Sequence, residues 1–365
     1  MKSAEKQSRN SNVELLRIIA MVMIVCHHYA YYGGFKYNVE ILSFNRAWYQ
    51  LLLMGGKIGA NIFTMISAWF LTELKDIPYK KLKSFWCQVS FYSIVLFLIV
   101  YLIDSAATDS IMKAAFPIIF EQWWYASVYF ILLLLASFLN GALASLNQKE
   151  LKKLLVLLTT GWSIIPTLSG KRLQSNELLW MIYLYILIAY IRKYDVIDTA
   201  KRKKYFIMAC FFYTFTYTSA ICFDAIGTIV PVFGRKAEHF YDIQSLSVLG
   251  ASLFSVLYVM SKEKKIVPVI NKVAKLTFGV YLIHDNSNIR RLLWNVVFKN
   301  ANFANSIWLP FVSLGSIAVV FIACSIIEHT RQRYFEKAYL RLVNMICDMI
   351  RRYTSYALRR TNNEQ

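Results

Sequence analysis

Charge is scarce in this chain, and acidic charge is scarcer still. Only 17% of its 365 residues are charged, and Asp and Glu together number 21. A soluble globular chain carries about 25% charged and 45–50% apolar residues, whereas 57% are hydrophobic here. The deficit excludes a polar disordered chain and argues against a soluble domain. Proline (6) and glycine (13) are also few. No Pro-, Gly- or Ser-rich linker and no internal repeat divides the chain, so one domain covers nearly all of it. The six cysteines, Cys26, Cys87, Cys210, Cys222, Cys324 and Cys347, sit at no metal-binding spacing. They read as thiols rather than disulfides, the first five within or beside apolar runs. No cleavable leader is expected, because the first apolar run carries Arg17 and a His pair and no small-residue cleavage site follows.

What the sequence does have is long apolar runs. About 20 helical residues cross a ~30 Å hydrocarbon core. Ten candidate segments fall at 13–32, 48–71, 85–103, 123–139, 154–168, 178–191, 205–223, 245–260, 276–298 and 308–327. The fifth and sixth are short, which leaves open a re-entrant pair and eight spans. The ninth is uneven.

Basic charge sets the orientation. With the N-terminus inside, 29 of the 41 Lys and Arg residues lie on inside segments and 10 on outside loops, with Arg17 and Lys57 within spans. This is the positive-inside bias. It accounts for the formal net charge of +20 without nucleic acid, so membrane lipid is the expected partner. The expected fold is an all-α integral membrane protein of about ten transmembrane helices with cytoplasmic N- and C-termini. Residues 1–11 form a cytoplasmic segment, 12–327 the membrane domain and 328–365 a basic tail. In the tail, Tyr339, Leu342, Val343, Ile346, Ile350 and Tyr353 repeat at helical spacing opposite Arg341, Asp348, Arg352 and Arg359. That pattern predicts an amphipathic helix on the inner membrane surface.

Ionisable groups at membrane depth are costly and need a reason. The first segment carries Glu14, Arg17, His27 and His28. At about 100° and ~1.5 Å per residue, Arg17 and His28 fall within roughly 20° of one face and ~16 Å apart, while His27 points about 80° away. Arg17 near the inner end suits a phosphate-bearing cosubstrate. The gap to His28 matches the reach of an extended pantetheine arm. A neutral imidazole at that depth suits a general base or a transient acyl carrier. The plainer alternative is that Arg17 snorkels to the interface and His28 hydrogen-bonds within the bundle.

The ninth segment gives the second signal. Apolar 276–283 meets His284, Asp285, Asn286, Ser287, Asn288, Arg290 and Arg291 before apolar 292–298. Polar residues at that depth favour a broken helix lining a cavity over the alternative, a segment that exits at His284 and re-enters the interface. In the second segment, Gly55, Gly56 and Gly59 permit close helix approach.

Taken in order, these stretches resemble the acyltransferase 3 family of membrane acyltransferases over roughly residues 12–327. The family's first-span motif is Arg or Lys, ten residues, then His, matched here by Arg17 and His28. Its second-span signature resembles Asn61 to Leu71 with Ser67, its fourth Trp124, Tyr125 and Tyr129, and its late one Phe278 to Asp285. The stretch Asn286 to Trp294 is most similar to members that modify bacterial surface polysaccharides.

The resemblance implies an O-acyltransferase of the bacterial plasma membrane. It would move an acyl group, usually acetyl, from cytosolic acyl-CoA to a sugar hydroxyl on a surface glycan or its lipid-linked precursor. Acetyl-CoA would be a cosubstrate, with no tightly bound cofactor or metal, and polysaccharide-assembly proteins would be further partners. His28 would be catalytic and Arg17 a donor-site residue. Glu14, Asn61, Ser67, Trp124, Tyr125, Tyr281, His284, Asp285 and Arg290 are the other cavity candidates. Ala68 departs from the family's usual glycine. Nor is there the extra hydrolase-like domain that some members carry, so direct transfer or hand-over to another protein is expected. The competing reading is a transporter or flippase for a lipid-linked sugar.

Overall fold

The computed structural model describes residues 9–38, 41–105, 108–341, 343–345 and 348–349. Among them there are helices and no strand. The chain is all-α and membrane-integral, as its composition predicts. In chain order the helices are α1 (Ser11–Tyr31), α2 (Phe44–Leu71), α3 (Tyr79–Ile103), α4 (Ile111–Ala115) and α5 (Trp124–Ser145). Next come α6 (Gln148–Thr159), a π-helical turn (Thr160–Ile164), α7 (Ile165–Ser169), α8 (Glu177–Lys193) and α9 (Arg202–Gly227). The last are α10 (Pro231–Gly234), α11 (Leu246–Met260), α12 (Pro268–Ala274), α13 (Thr277–His284), α14 (Ser287–Arg291) and α15 (Leu309–Thr330).

Eight helical stretches among the described residues are long and apolar enough to cross a bilayer. They correspond to eight of the ten predicted segments. The sixth is α8, at 17 residues, and the ninth is the broken run from α13 through α14. The fifth segment is not short: Gln148–Ser169 is one helical stretch of 22 residues. Its first turns were hidden by Lys149, Lys152 and Lys153. Asn147 and Glu150 start it with a reciprocal capping box. The π turn comes just before Pro166, where a proline removes a helix hydrogen bond. At about 33 Å, a 22-residue stretch is long enough to span.

α2 is the central helix, and 78% of its most apolar window is buried. Its glycines explain how closely α1 lies against it. A Cβ at Gly59 would stand 2.6 Å from the Ala20 carbonyl oxygen, and one at Gly56 2.3 Å from His27 Cγ. No larger residue fits there without moving α1. Ala68 is fully buried, so the bundle accommodates the methyl where the family pattern has glycine.

α15 runs three residues beyond the predicted end at Ile327. Glu328 is wholly buried there. It accepts from Tyr92 Oη at 2.6 Å and from Arg331 at 2.8 and 2.9 Å, and it packs against Gly279 of α13. Past Arg331 the chain stays helical to 341. The Phe335 and Tyr339 rings stand 5.9 and 6.0 Å from Phe91 of α3. Of the predicted tail stripe, Leu342, Ile346, Ile350 and Tyr353 lie outside the described residues or have side chains that are not described, so the surface helix is not visible as such.

Candidate active site

α1 ends at Tyr31, and His28 lies in its last turn. His28 is 8% exposed and His284 wholly buried. The broken helix brings them together across the fold: α13 stops at His284, and Asn286 caps α14 by accepting from the Asn288 N–H at 2.9 Å. The break turns Asp285 inward, where the Arg290 Nε–H donates to its Oδ1 at 2.9 Å. The Arg290 guanidinium in turn lies 4.6 Å from the centre of the Tyr32 ring.

The hydrogen-bond chain fixes the tautomers. His284 Nδ1 sits 2.6 Å from the Val280 carbonyl oxygen. A carbonyl only accepts, so this nitrogen carries the proton. In a neutral imidazole His284 Nε2 is then the acceptor, and its partner 2.9 Å away is His28 Nδ1. His28 therefore donates from Nδ1, and its Nε2 keeps a lone pair. The carboxylate of Asp285 stands 3.6 Å from that Nε2. This is too long for a hydrogen bond but close enough to stabilise an imidazolium once Nε2 takes a proton. A backbone carbonyl, an orienting imidazole and a base with a lone pair together form a proton acceptor, beside a carboxylate that is itself paired with Arg290.

Two cavities meet at this group. The inner one is small, about 40 Å³, and runs from Met21 and Ile24 past Phe63, Tyr125 and Tyr281 to His28. The outer one, about 400 Å³, opens past Tyr31, Tyr32, Tyr241 and Asp242. His27, His28, Lys57 and Trp124 line both. The Lys57 ammonium lies 5.3 Å from the centre of the Trp124 ring. Met21, Ile24 and His28 continue the α1 face that begins with Arg17, so that face is the cavity wall. Arg17 itself lies below the inner cavity. It is paired to Glu14 at 2.5 Å, and Arg9 reaches the same carboxylate at 3.5 Å. Two guanidiniums against one carboxylate leave net positive charge at that end.

Of the predicted site residues, His28, His284, Asp285, Arg290, Trp124, Tyr125 and Tyr281 converge here, and Glu14 and Arg17 form a separate pair. Asn61 is elsewhere: it is wholly buried, accepts from Trp180 Nε1 at 3.0 Å and donates to the Ile243 carbonyl at 3.0 Å. Ser67 is half-buried on α2 and lines neither cavity. Asn61 therefore ties neighbouring elements to α2.

Sequence reasoning set His27 aside and left Lys57 unassigned, yet both face the cavities. His27 turns to the Leu53 carbonyl at 2.7 Å across the gap that Gly56 leaves. The available signal for Lys57 was a lone cation in the middle of a span. Arg46 was also misplaced. α2 starts at Phe44, four residues before the predicted start, and Arg46 is buried in an ion pair with Asp224.

Among the described residues no group of three or more His, Cys, Asp or Glu could hold a metal ion, and Cys26, Cys87, Cys210, Cys222 and Cys324 form no disulfide. A family model describing an acyltransferase domain, of the acyltransferase 3 type, matches residues 10–328. No curated protein and no solved structure matches the chain.

Proposed function

This chain belongs to the acyltransferase 3 family of membrane acyltransferases, and from that premise we propose that it is an O-acetyltransferase acting on a surface glycan or its lipid-linked precursor in a bacterial plasma membrane. Acetyl-CoA is the donor and enters from the cytosolic end. The net positive charge around Arg17 attracts its phosphates, and the α1 face through Met21 and Ile24 guides the pantetheine arm outward. The acceptor hydroxyl enters through the outer cavity.

His28 Nε2 takes the hydroxyl proton as the oxygen attacks the thioester carbonyl. The tetrahedral intermediate collapses, the C–S bond breaks and the thiolate leaves with the proton from the imidazolium. Asp285 stabilises that imidazolium while it exists, and Lys57 supplies positive charge on the wall where the oxyanion develops. The observation that carries this reading is the Val280–His284–His28 chain, which leaves a lone pair on Nε2 of a histidine that lines both cavities.

The test uses purified protein in lipid nanodiscs with labelled acetyl-CoA and a glycan acceptor. Free CoA and labelled glycan should form together. A positioned base contributes about 10²–10⁴-fold, so His28→Ala should lose that much at unchanged yield and melting temperature. A general base leaves no labelled enzyme when the acceptor is withheld; label retained on His28 would mean an acyl relay instead. No CoA release at all would favour the lipid-linked-sugar flippase.

A further inference from the structure

Beside the outer cavity lies a second recess of about 230 Å³, at the end of the bundle that the charge bias assigns to the outside. It is smaller than the ~300–1,000 Å³ of sites for drug-sized ligands, on the scale of a single sugar ring. One wall is aromatic. Phe35 and Tyr37 are parallel with centres 6.0 Å apart, and Tyr49 meets them at 5.7 and 5.5 Å. The facing wall is polar and carries Arg46, Gln50, Arg235 and Glu238. Glu238 also lines the cavity that contains His28, so the two spaces adjoin at that residue.

The hydrogen-bonding state of the polar wall selects the ligand. Arg46 is already used: it donates to the Asn38 and Gly234 carbonyls and pairs with Asp224. Gln50 is 3% exposed, and its amide nitrogen donates to Asp224 Oδ2 at 3.2 Å. Because a carboxylate only accepts, this orientation is forced, and it leaves Gln50 Oε1 buried without a partner. A buried acceptor without a donor is costly. Glu238 offers further acceptors, open to the recess. Arg235 is the exposed donor on this wall and can serve a sugar oxygen, but Gln50 Oε1 and Glu238 call for donors from the ligand. An anion would bring more acceptors beside Glu238 and Asp224, whereas a ring bearing hydroxyl groups brings donors. The flat C–H face of a pyranose suits an aromatic wall.

We propose that this recess is an acceptor subsite that holds a neutral pyranose residue next to the sugar being acylated, stacked on Tyr49 with its hydroxyls donating to Gln50 and Glu238. This rests on the acyltransferase reading above and narrows its acceptor to a glycan of at least two residues.

The experiment is saturation-transfer NMR on the full chain in nanodiscs, with methyl β-D-glucoside, methyl β-D-galactoside and methyl N-acetyl-β-D-glucosaminide as probes. Glycerol and inorganic phosphate are the controls. At least one glycoside should show transfer to its ring C–H protons, and neither control should bind. Tyr49→Leu should weaken that glycoside roughly tenfold and Tyr49→Phe should retain it; Gln50→Leu should weaken it as well, with a lower melting temperature from the lost Asp224 hydrogen bond. No glycoside binding, binding indifferent to Tyr49→Leu, or preferential phosphate binding overturns the subsite. CoA release from acetyl-CoA, measured on the same samples, reports separately on the transferase reading. Release without glycoside binding defeats the subsite alone, and glycoside binding without release defeats the transferase reading alone.

Discussion

Removing the His284 imidazole should damage catalysis while sparing the fold and donor binding. In the native chain the His28 Nδ1 proton has one acceptor, His284 Nε2 at 2.9 Å, itself fixed by the Val280 carbonyl at 2.6 Å. His284→Ala removes that acceptor. The buried Nδ1–H of His28 then loses a hydrogen bond of about 1–1.5 kcal/mol, which is roughly a tenfold change in tautomer balance. The alternative tautomer, with the proton on Nε2, faces Asp285 Oδ1 at 3.6 Å and gains from moving towards it. The base nitrogen is thereby protonated and its orientation released. Together these effects should lower kcat about 10²–10³-fold, within the range that one positioned acid–base group contributes.

The assay is CoA release at saturating acceptor, with kcat and KM for acetyl-CoA separated. KM should hold within about threefold, because no donor contact is lost. His284→Gln supplies both an acceptor for His28 and a donor for Val280, and should recover at least tenfold over alanine. A purely structural role would lower the melting temperature and yield of both variants without splitting kcat from KM. Alanine activity above about one third of wild type, or glutamine no better than alanine, would refute the tautomer argument.

Two further outcomes follow from the packing and the surface charge. Gly59→Ala pushes a methyl to 2.6 Å from the Ala20 carbonyl oxygen, a backbone atom that cannot rotate away. Overpacking of this kind costs about 1–3 kcal/mol, and the detergent-solubilised variant should melt several degrees lower, whereas Gly141→Ala, with open space around it, should not. Burial works to raise the Asp109 carboxyl, but the Ser287 hydroxyl and the Lys113 ammonium outweigh it and hold it below the usual carboxylate range. A depressed carboxyl adds stability above its unfolded pKa and loses it as pH falls through the folded value. Asp109→Asn should therefore narrow the gap in melting temperature between pH 7 and pH 3; an unchanged gap would contradict the assignment.

Much of the fold was legible because hydropathy and basic charge report directly on burial in lipid. The errors lie where that signal is local. Lys149 to Lys153 made the fifth helix look short, although lysines at an interface extend a helix outward. Arg46 and Glu328 read as loop or tail charges because nothing nearby in sequence marks their partners; Asp224 is 178 residues from Arg46, and Tyr92 is 236 from Glu328.

The site was legible in two halves. Helical spacing put His28 on the face of Arg17, and the polar interruption at 284–291 marked a broken helix. That the two halves meet, across 256 residues, came only from resemblance to a family and from the fold itself. Rotation by 80° was also too strict a reason to dismiss His27. The glycine gap at Gly56 and the wide outer cavity let both imidazoles reach the same space. Asn61 and Ser67 came from a signature stretch; the structure shows Asn61 tying Trp180 and Ile243 to α2, and neither lines the two cavities.

The proposed passage between the Arg17 guanidinium and the His28 imidazole is tested most directly by sidedness. Oriented vesicles are sealed around acetyl-CoA labelled in both the acetyl group and the CoA moiety, with glycan acceptor added only outside. The account predicts acetyl label on the external glycan, CoA label retained in the lumen, and loss of both transfer and CoA release in His28→Ala. Acetyl transfer that persists without His28, or CoA emerging with the acetyl group on the acceptor side, would contradict it.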